Sequence, residues 1–83
     1  MAAPAIVLTA HAEDMLVERN IDRSWVEAAI HSPEALEDDP SQPGALRAFR
    51  RVAERDGRYL RVVYIQENDN VRVLTAFFDR GRR

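Results

Sequence analysis

The chain is 83 residues long and has no cysteine, so one small domain must hold together without disulfides or a thiolate metal site. Apolar residues make up 46% and charged residues 31%, which excludes a disordered composition, and no apolar run approaches the ~18 residues of a membrane span. The formal net charge of -2 conceals an asymmetry: residues 1–43 carry 2 Arg against 9 acidic residues, whereas residues 44–83 carry 10 Arg against 5.

Every basic side chain is Arg, whose rigid fork matches carboxylate and phosphate groups bidentately. A codon bias toward Arg would produce the same composition. The asymmetry suits a polyanion, a dedicated acidic partner, or a homodimer that sets acidic half against basic half. Met1-Ala2-Ala3-Pro4-Ala5 lacks the basic start and apolar stretch of a secretory signal, so the expectation is a cytoplasmic protein with no membrane partner.

Ile6-Val7-Leu8 is a short β-leaning run that predicts an edge strand. Thr9 can cap a helix whose apolar stripe is Ala12, Met15 and Leu16, with Arg19 extending it and Asn20 as a left-handed terminator. Asp22 or Ser24 caps a second helix bearing Trp25, Val26, Ala29 and Ile30, and Ser32-Pro33 ends it. Trp25 reads as core, with a partner-binding anchor as the alternative. Residues 33–45 hold three prolines, a glycine and a run of acids, and predict a mobile loop.

Beyond it, Asp56-Gly57 predicts a two-residue hairpin between strands of about 46–55 and 58–66. Asn68-Asp69 predicts a second turn before a strand over 71–78, and 79–83 form a basic tail. With these turns, residue 53 faces 60, so Phe49, Arg51, Ala53, Leu60, Val62 and Tyr64 share one face, joined by Val73, Thr75 and Phe77. The pattern leaves open which face the helices cover. The predicted class is α+β, ordered (β)ααβββ, with two N-terminal helices on a three- to four-stranded antiparallel sheet.

His11-Ala12 at the first helix start, Met15 and Arg19 along it, Ile21 after it, and the strands Arg61-Val62-Val63-Tyr64 and Val73-Leu74-Thr75-Ala76-Phe77 together resemble the small bacterial proteins grouped as domain of unknown function 4258. Those proteins look like relatives of the RelE/ParE toxin superfamily and of BrnT-type toxins. The resemblance implies a compact, RelE-like α+β fold and a toxin-type or RNA-linked role. Some members of the superfamily cleave mRNA on the ribosome, whereas others act on gyrase or have no known target, so RNA, the ribosome and an acidic antitoxin are the expected partners. Such proteins often carry a basic residue just before the methionine. Here that place is Asp14, a departure that points away from nuclease activity.

Metal-independent ribonuclease chemistry needs a base for the 2′-hydroxyl, an acid for the leaving oxygen, and cations for the charge that builds on phosphorus. Imidazole suits the first tasks, which makes His11 the candidate; Arg51 and Arg61 are candidate stabilising cations, Tyr64 a proton donor or acceptor, and Thr75 a positioning hydroxyl. Arg19, Arg58 and Arg61 are the candidates for gripping phosphate, RNA or an acidic partner. Each has a plainer reading: His11 bonded to nearby backbone, Arg19 paired with Asp22 or Glu27, Tyr64 filling the core, Thr75 suiting a strand, Asp79 paired with Arg80 or another Arg. The two histidines, His11 and His31, fall on different helices, and no metal-ligand spacing or phosphate-binding glycine loop occurs, so no cofactor is expected. A toxin-type protein that cleaves RNA, a binding module that grips an acidic partner, and a plain homodimer are the three readings that remain.

Overall fold

A computed structural model describes residues 5–82; the first four residues and Arg83 of the expected basic tail lie outside that range. Strand β1 (Ala5–Leu8) leads into helix α1 (Ala10–Glu18) and helix α2 (Arg23–His31). Four strands follow: β2 (Ala35–Asp38), β3 (Ala45–Val52), β4 (Arg58–Glu67) and β5 (Asn70–Asp79). They form one sheet in the order β1-β5-β4-β3-β2. The fold is α+β. No helix among the described residues is long and apolar enough to cross a membrane.

Local chemistry sets the helix limits. The Thr9 hydroxyl accepts the Ala12 N–H at 3.1 Å and donates to the Leu74 carbonyl at 3.3 Å, so one side chain caps α1 and pins it to β5. Asn20 takes a left-handed φ of 53°, and the Ile21 N–H returns to the Leu16 carbonyl at 2.8 Å, closing the end of α1. The Asp22 carboxylate caps α2 by accepting the Ser24 N–H at 2.8 Å, and the helix stops at His31, ahead of Pro33. Ala12, Leu16, Val26 and Ala29 pack from the helices onto Ala48, Val52, Leu60, Val62, Tyr64, Val73 and Ala76 of the sheet.

Three features correct the expected architecture. The sheet has five strands and is mixed, because β1 runs parallel to β5, with Ile6 facing Val71 and Leu8 facing Val73. Four residues of the stretch read as loop form β2, antiparallel to β3, with Ala35 facing Phe49 and Asp38 facing Leu46. Its prolines stand outside the strand, while Glu37 and Asp38 suit an edge, where charge discourages pairing with another chain.

The register of the predicted hairpin also differs. Asp56 and Gly57 do adopt positive φ, 57° and 72°, as a turn residue pair should. The chain first makes a 3-10 turn over Ala53–Arg55, however, and the Gly57 N–H bonds back to the Val52 carbonyl at 3.0 Å. Val52 therefore faces Arg58, three residues away from the two-residue register, and an odd shift exchanges the two faces of β3. A bulge where β5 passes Val63 and Tyr64 flips parity again, so Thr75 faces Val63 and Phe78 faces Leu60.

The helix-covered face consequently carries Ala48, Val52, Leu60, Val62, Tyr64 and Ala76, with Phe78 packed against that cluster. The open face carries Arg47, Phe49, Arg51, Tyr59, Arg61, Val63, Thr75, Phe77 and Asp79. Phe49 is only 1% exposed although it lies on the open face. Phe49→Ala is expected to destabilise the fold by about 3–5 kcal/mol, as buried aromatic truncations do. Val17→Ala, at a site 80% exposed on α1, should change stability by less than about 0.5 kcal/mol. Urea unfolding midpoints make the comparison, and equal values for the two variants would mean that the open face contributes no packing.

Candidate functional site

The open face is roofed by guanidinium groups instead of helices. Arg61 stands opposite Phe49 on one side and Phe77 on the other, and its guanidinium lies 5.5 Å and 4.8 Å from the two ring centroids. Arg82 lies 3.8 Å above the Phe49 ring, and Arg51 lies 5.7 Å from Tyr59. A planar, weakly hydrated cation is attracted to the negative face of an aromatic ring and excludes water from it. This layer explains how Phe49 is buried with no helix above it.

Asp79 organises the layer. Its carboxylate accepts the Arg61 Nε–H at 3.1 Å and the Gly81 N–H at 2.8 Å, turning the chain back after β5. The turn brings Arg80 and Arg82 beside the β3–β4 hairpin, and the Arg82 guanidinium donates to Glu37 at 2.6 Å. The hydrogen bond from Arg61, followed by the Gly81 amide and the charge of Arg82, holds the Asp79 carboxyl below its ordinary value.

Between this turn and the hairpin tip lies a cleft of about 680 Å³, lined by Arg51, Asp56, Gly57, Arg58, Asp79, Arg80 and Arg82. Arg51 and Arg82 are paired with Glu34 and Glu37. Among the described residues no carboxylate pairs with Arg58 or Arg80. Those two also line a neighbouring hollow of about 350 Å³ with Arg19 and Phe78, so the cationic rim continues around the end of the sheet. Arg58 is held over the Phe78 ring at 5.1 Å. Arg80, like Arg58, is exposed. The arrangement can take an extended anionic group on several guanidinium forks.

The sequence-derived candidates separate in space. Arg51, Arg61 and Thr75 share the open face, whereas Tyr64 points into the helix-covered core, where burial pushes its phenol above the ordinary value. Tyr64 and Arg51, expected on one face, lie on opposite faces. His11 is exposed on α1 and makes no hydrogen bond to the other candidates among the described residues. Arg61 is engaged by Asp79 and Arg51 by Glu34. Arg19 pairs with no acid among the described residues and instead sits 5.9 Å from the Phe77 ring, while its carbonyl accepts a bond from Arg55. Trp25 is half-buried against the core, edge-on to Phe78 at 6.3 Å.

Arg80, Arg82 and Glu34 belong to the site although nothing in the sequence singles them out. Arg80 and Arg82 read as a tail because nothing in their spacing announces the Asp79 turn. Glu34 read as loop because its partner, Arg51, is 17 residues away. No group of three or more His, Cys, Asp or Glu side chains that could hold a metal occurs among the described residues.

The geometry thus defines a small α+β domain with an arginine-lined cleft at one end of its sheet. A family model described as a domain of unknown function (DUF4258) matches residues 8–78, from the end of β1 to all but the last residue of β5, and the chain belongs to that family. No curated protein and no solved structure was found to match it.

A carboxyl held below its ordinary value binds fewer protons folded than unfolded, so its stabilising contribution is complete above that value. It disappears as pH falls through the lowered folded value. For Asp79 the ordinary value is 3.8, which sets the loss in more acidic solution. Asp79→Asn should lower the unfolding midpoint at neutral pH and shrink the difference between neutral pH and about pH 3. An unchanged pH profile in Asp79→Asn would show that this carboxylate does not anchor the turn.

Proposed function

We propose that this domain is a RelE/ParE-like, toxin-type protein that works as a binding module and grips an acidic partner, such as an antitoxin-like peptide, through the arginine cleft. The observation that carries the reading is the convergence of Arg51, Arg58, Arg80 and Arg82 on one cleft, with Arg58 and Arg80 paired to no carboxylate among the described residues. The order of two helices followed by the antiparallel run β3–β5 supports the RelE-like likeness.

Binding fits the geometry better than catalysis does. A metal-independent endoribonuclease would need its proton-transfer groups beside its cations. Here Tyr64 is in the core and Arg61 is committed to Asp79, while His11 sits apart on α1. A charged cleft of this kind acts mainly on association rate and partner choice, and its grip weakens as salt screens it.

The test is fluorescence anisotropy with a labelled oligoglutamate peptide at low and high salt. The wild type should bind it, and Arg58→Glu with Arg80→Glu should weaken binding by roughly tenfold or more, as opposed charges in an interface do. Equal binding by the wild type and the double variant would sink the proposal. Cleavage of RNA by purified wild type, lost in His11→Ala and in Arg61→Ala, would replace it with the ribonuclease reading.

A further inference from the structure

Strand β2 pairs with β3 only as far as Phe49, where the Glu34 N–H donates to the Phe49 carbonyl at 2.8 Å. The next outward-pointing amide of β3 belongs to Arg51, beyond the reach of β2. The Glu34 side chain closes this gap. One carboxylate oxygen accepts the Arg51 N–H at 2.7 Å, and the other accepts its guanidinium Nε–H at 3.1 Å. Both oxygens are thus engaged by a single residue, through main chain and side chain together. The five other ion pairs of the described residues run between side chains alone on the arginine's part.

The contact is placed where an incoming anion would meet the protein. Arg51 lines the cleft that also holds Arg58 and Arg80. It also lines a smaller hollow of about 250 Å³ beside Trp25 and Ala28. The pair is open to solvent, with 61% of the Arg51 side chain and 30% of the Glu34 side chain exposed. An exposed pair of this kind contributes little net stability, so exchanging one carboxylate for another costs the fold little. The exchange conserves every bond: the Arg51 amide and guanidinium each keep an oxygen acceptor, and Glu34 returns to water.

We infer that Glu34 is a built-in placeholder for the ligand, a carboxylate of this chain that occupies the Arg51 corner of the cleft until a carboxylate of an acidic peptide displaces it. The inference rests on the acidic-partner reading above and adds to it a competitor that sets the partner's affinity. Arg51 is the residue through which a peptide carboxylate would be captured by backbone and side chain at once. Arg58 and Arg80 supply charge for the neighbouring acids. Glu34 lowers the apparent affinity by holding the best-formed contact closed, which favours a partner with several acidic residues over a lone acid or a free anion. The carboxyl of Glu34 is held below its ordinary value, chiefly by the Arg51 amide, so it stays ionised in the contact at neutral pH.

Anisotropy titration of the full chain with labelled oligoglutamate tests this in five variants, one of them the Arg51→Ala background alone. Glu34→Ala should bind the peptide roughly three- to tenfold more tightly than wild type, the range that one released hydrogen bond of ordinary net strength spans, and Glu34→Gln, whose amide oxygen can still accept the Arg51 N–H, should gain less. Glu13→Ala removes an equal charge from α1 and should give a much smaller gain. In an Arg51→Ala background, Glu34→Ala should give none. Thermal unfolding of each variant confirms that the folded protein is being titrated.

If wild type binds, and Arg58→Glu with Arg80→Glu weakens it, but Glu34→Ala binds no better than wild type or no better than Glu13→Ala, the placeholder is overturned while the acidic-partner reading stands. If neither wild type nor Glu34→Ala binds oligoglutamate, both fall. Preferential binding of a labelled homopolymer RNA by Glu34→Ala would also overturn the inference, because the released corner would then be serving phosphate.

Discussion

Strand β4 lies between β3 and β5, and its alternation divides the molecule into two chemical layers. Leu60, Val62 and Tyr64 point toward the helices, where they join Ala12, Leu16, Val26 and Ala29. Arg61 and Val63 point the other way. A strand paired on both sides cannot slip by one residue without turning Leu60, Val62 and Tyr64 out of the core, so this one alternation holds the registers of its neighbours. Both neighbours are adjusted to it by local irregularities: a 3-10 turn before the β3–β4 hairpin and a bulge in β5. The placement of Phe49 and Thr75 on the open face follows from those two features.

The open face solves a problem common to small domains. Two helices of nine residues can cover only one side of a five-stranded sheet, which leaves Phe49, Tyr59 and Phe77 to be shielded by something else. Arginine stems and guanidinium planes do this while keeping their charge at the surface. The same side chains therefore pack the face and charge its rim. Asp79 connects the two tasks, since it orients Arg61 over the rings and turns the chain so that Arg80 and Arg82 reach the cleft. Packing and the charged cleft share residues here, which is why substitution of the paired Arg61 or Arg82 would confound folding with the proposed binding. Arg58 and Arg80 offer a cleaner view of the cleft.

Glu34 and Glu37 show that the acidic half of the sequence is partly used to quiet the basic half. Both come from the stretch around β2, and both reach guanidiniums at the cleft, Arg51 and Arg82. The charge asymmetry along the chain is thus internally paired in part, and Arg58 and Arg80, which meet no carboxylate among the described residues, stand where β5 ends and the β3–β4 hairpin turns. That end of the sheet, and not the helix bearing His11, is where the arginines that meet no carboxylate among the described residues gather around a cleft.

The sequence by itself determined the elements whose signals are local. Thr9, Asn20, Asp22 and Pro33 mark the helix ends through bonds or steric limits that span a few residues, and Asp56, Gly57 and Asn68 mark the turns by their tolerance of positive φ. The family resemblance and the α+β class were legible for the same reason. Tertiary structure alone decided the rest. β2 is a strand because β3 offers it an edge, the parallel partner of β1 lies 65 residues along the chain, and the face of every β3 residue depends on one extra turn of backbone. Arg51, Arg58 and Arg61 were visible as candidate cations in the basic half of the chain, and Arg19 in the acidic half. Which of them are engaged and which meet in a cleft depends on contacts such as Arg61 with Asp79 and Arg51 with Glu34, 18 and 17 residues apart, and only the registers of the sheet bring those pairs together.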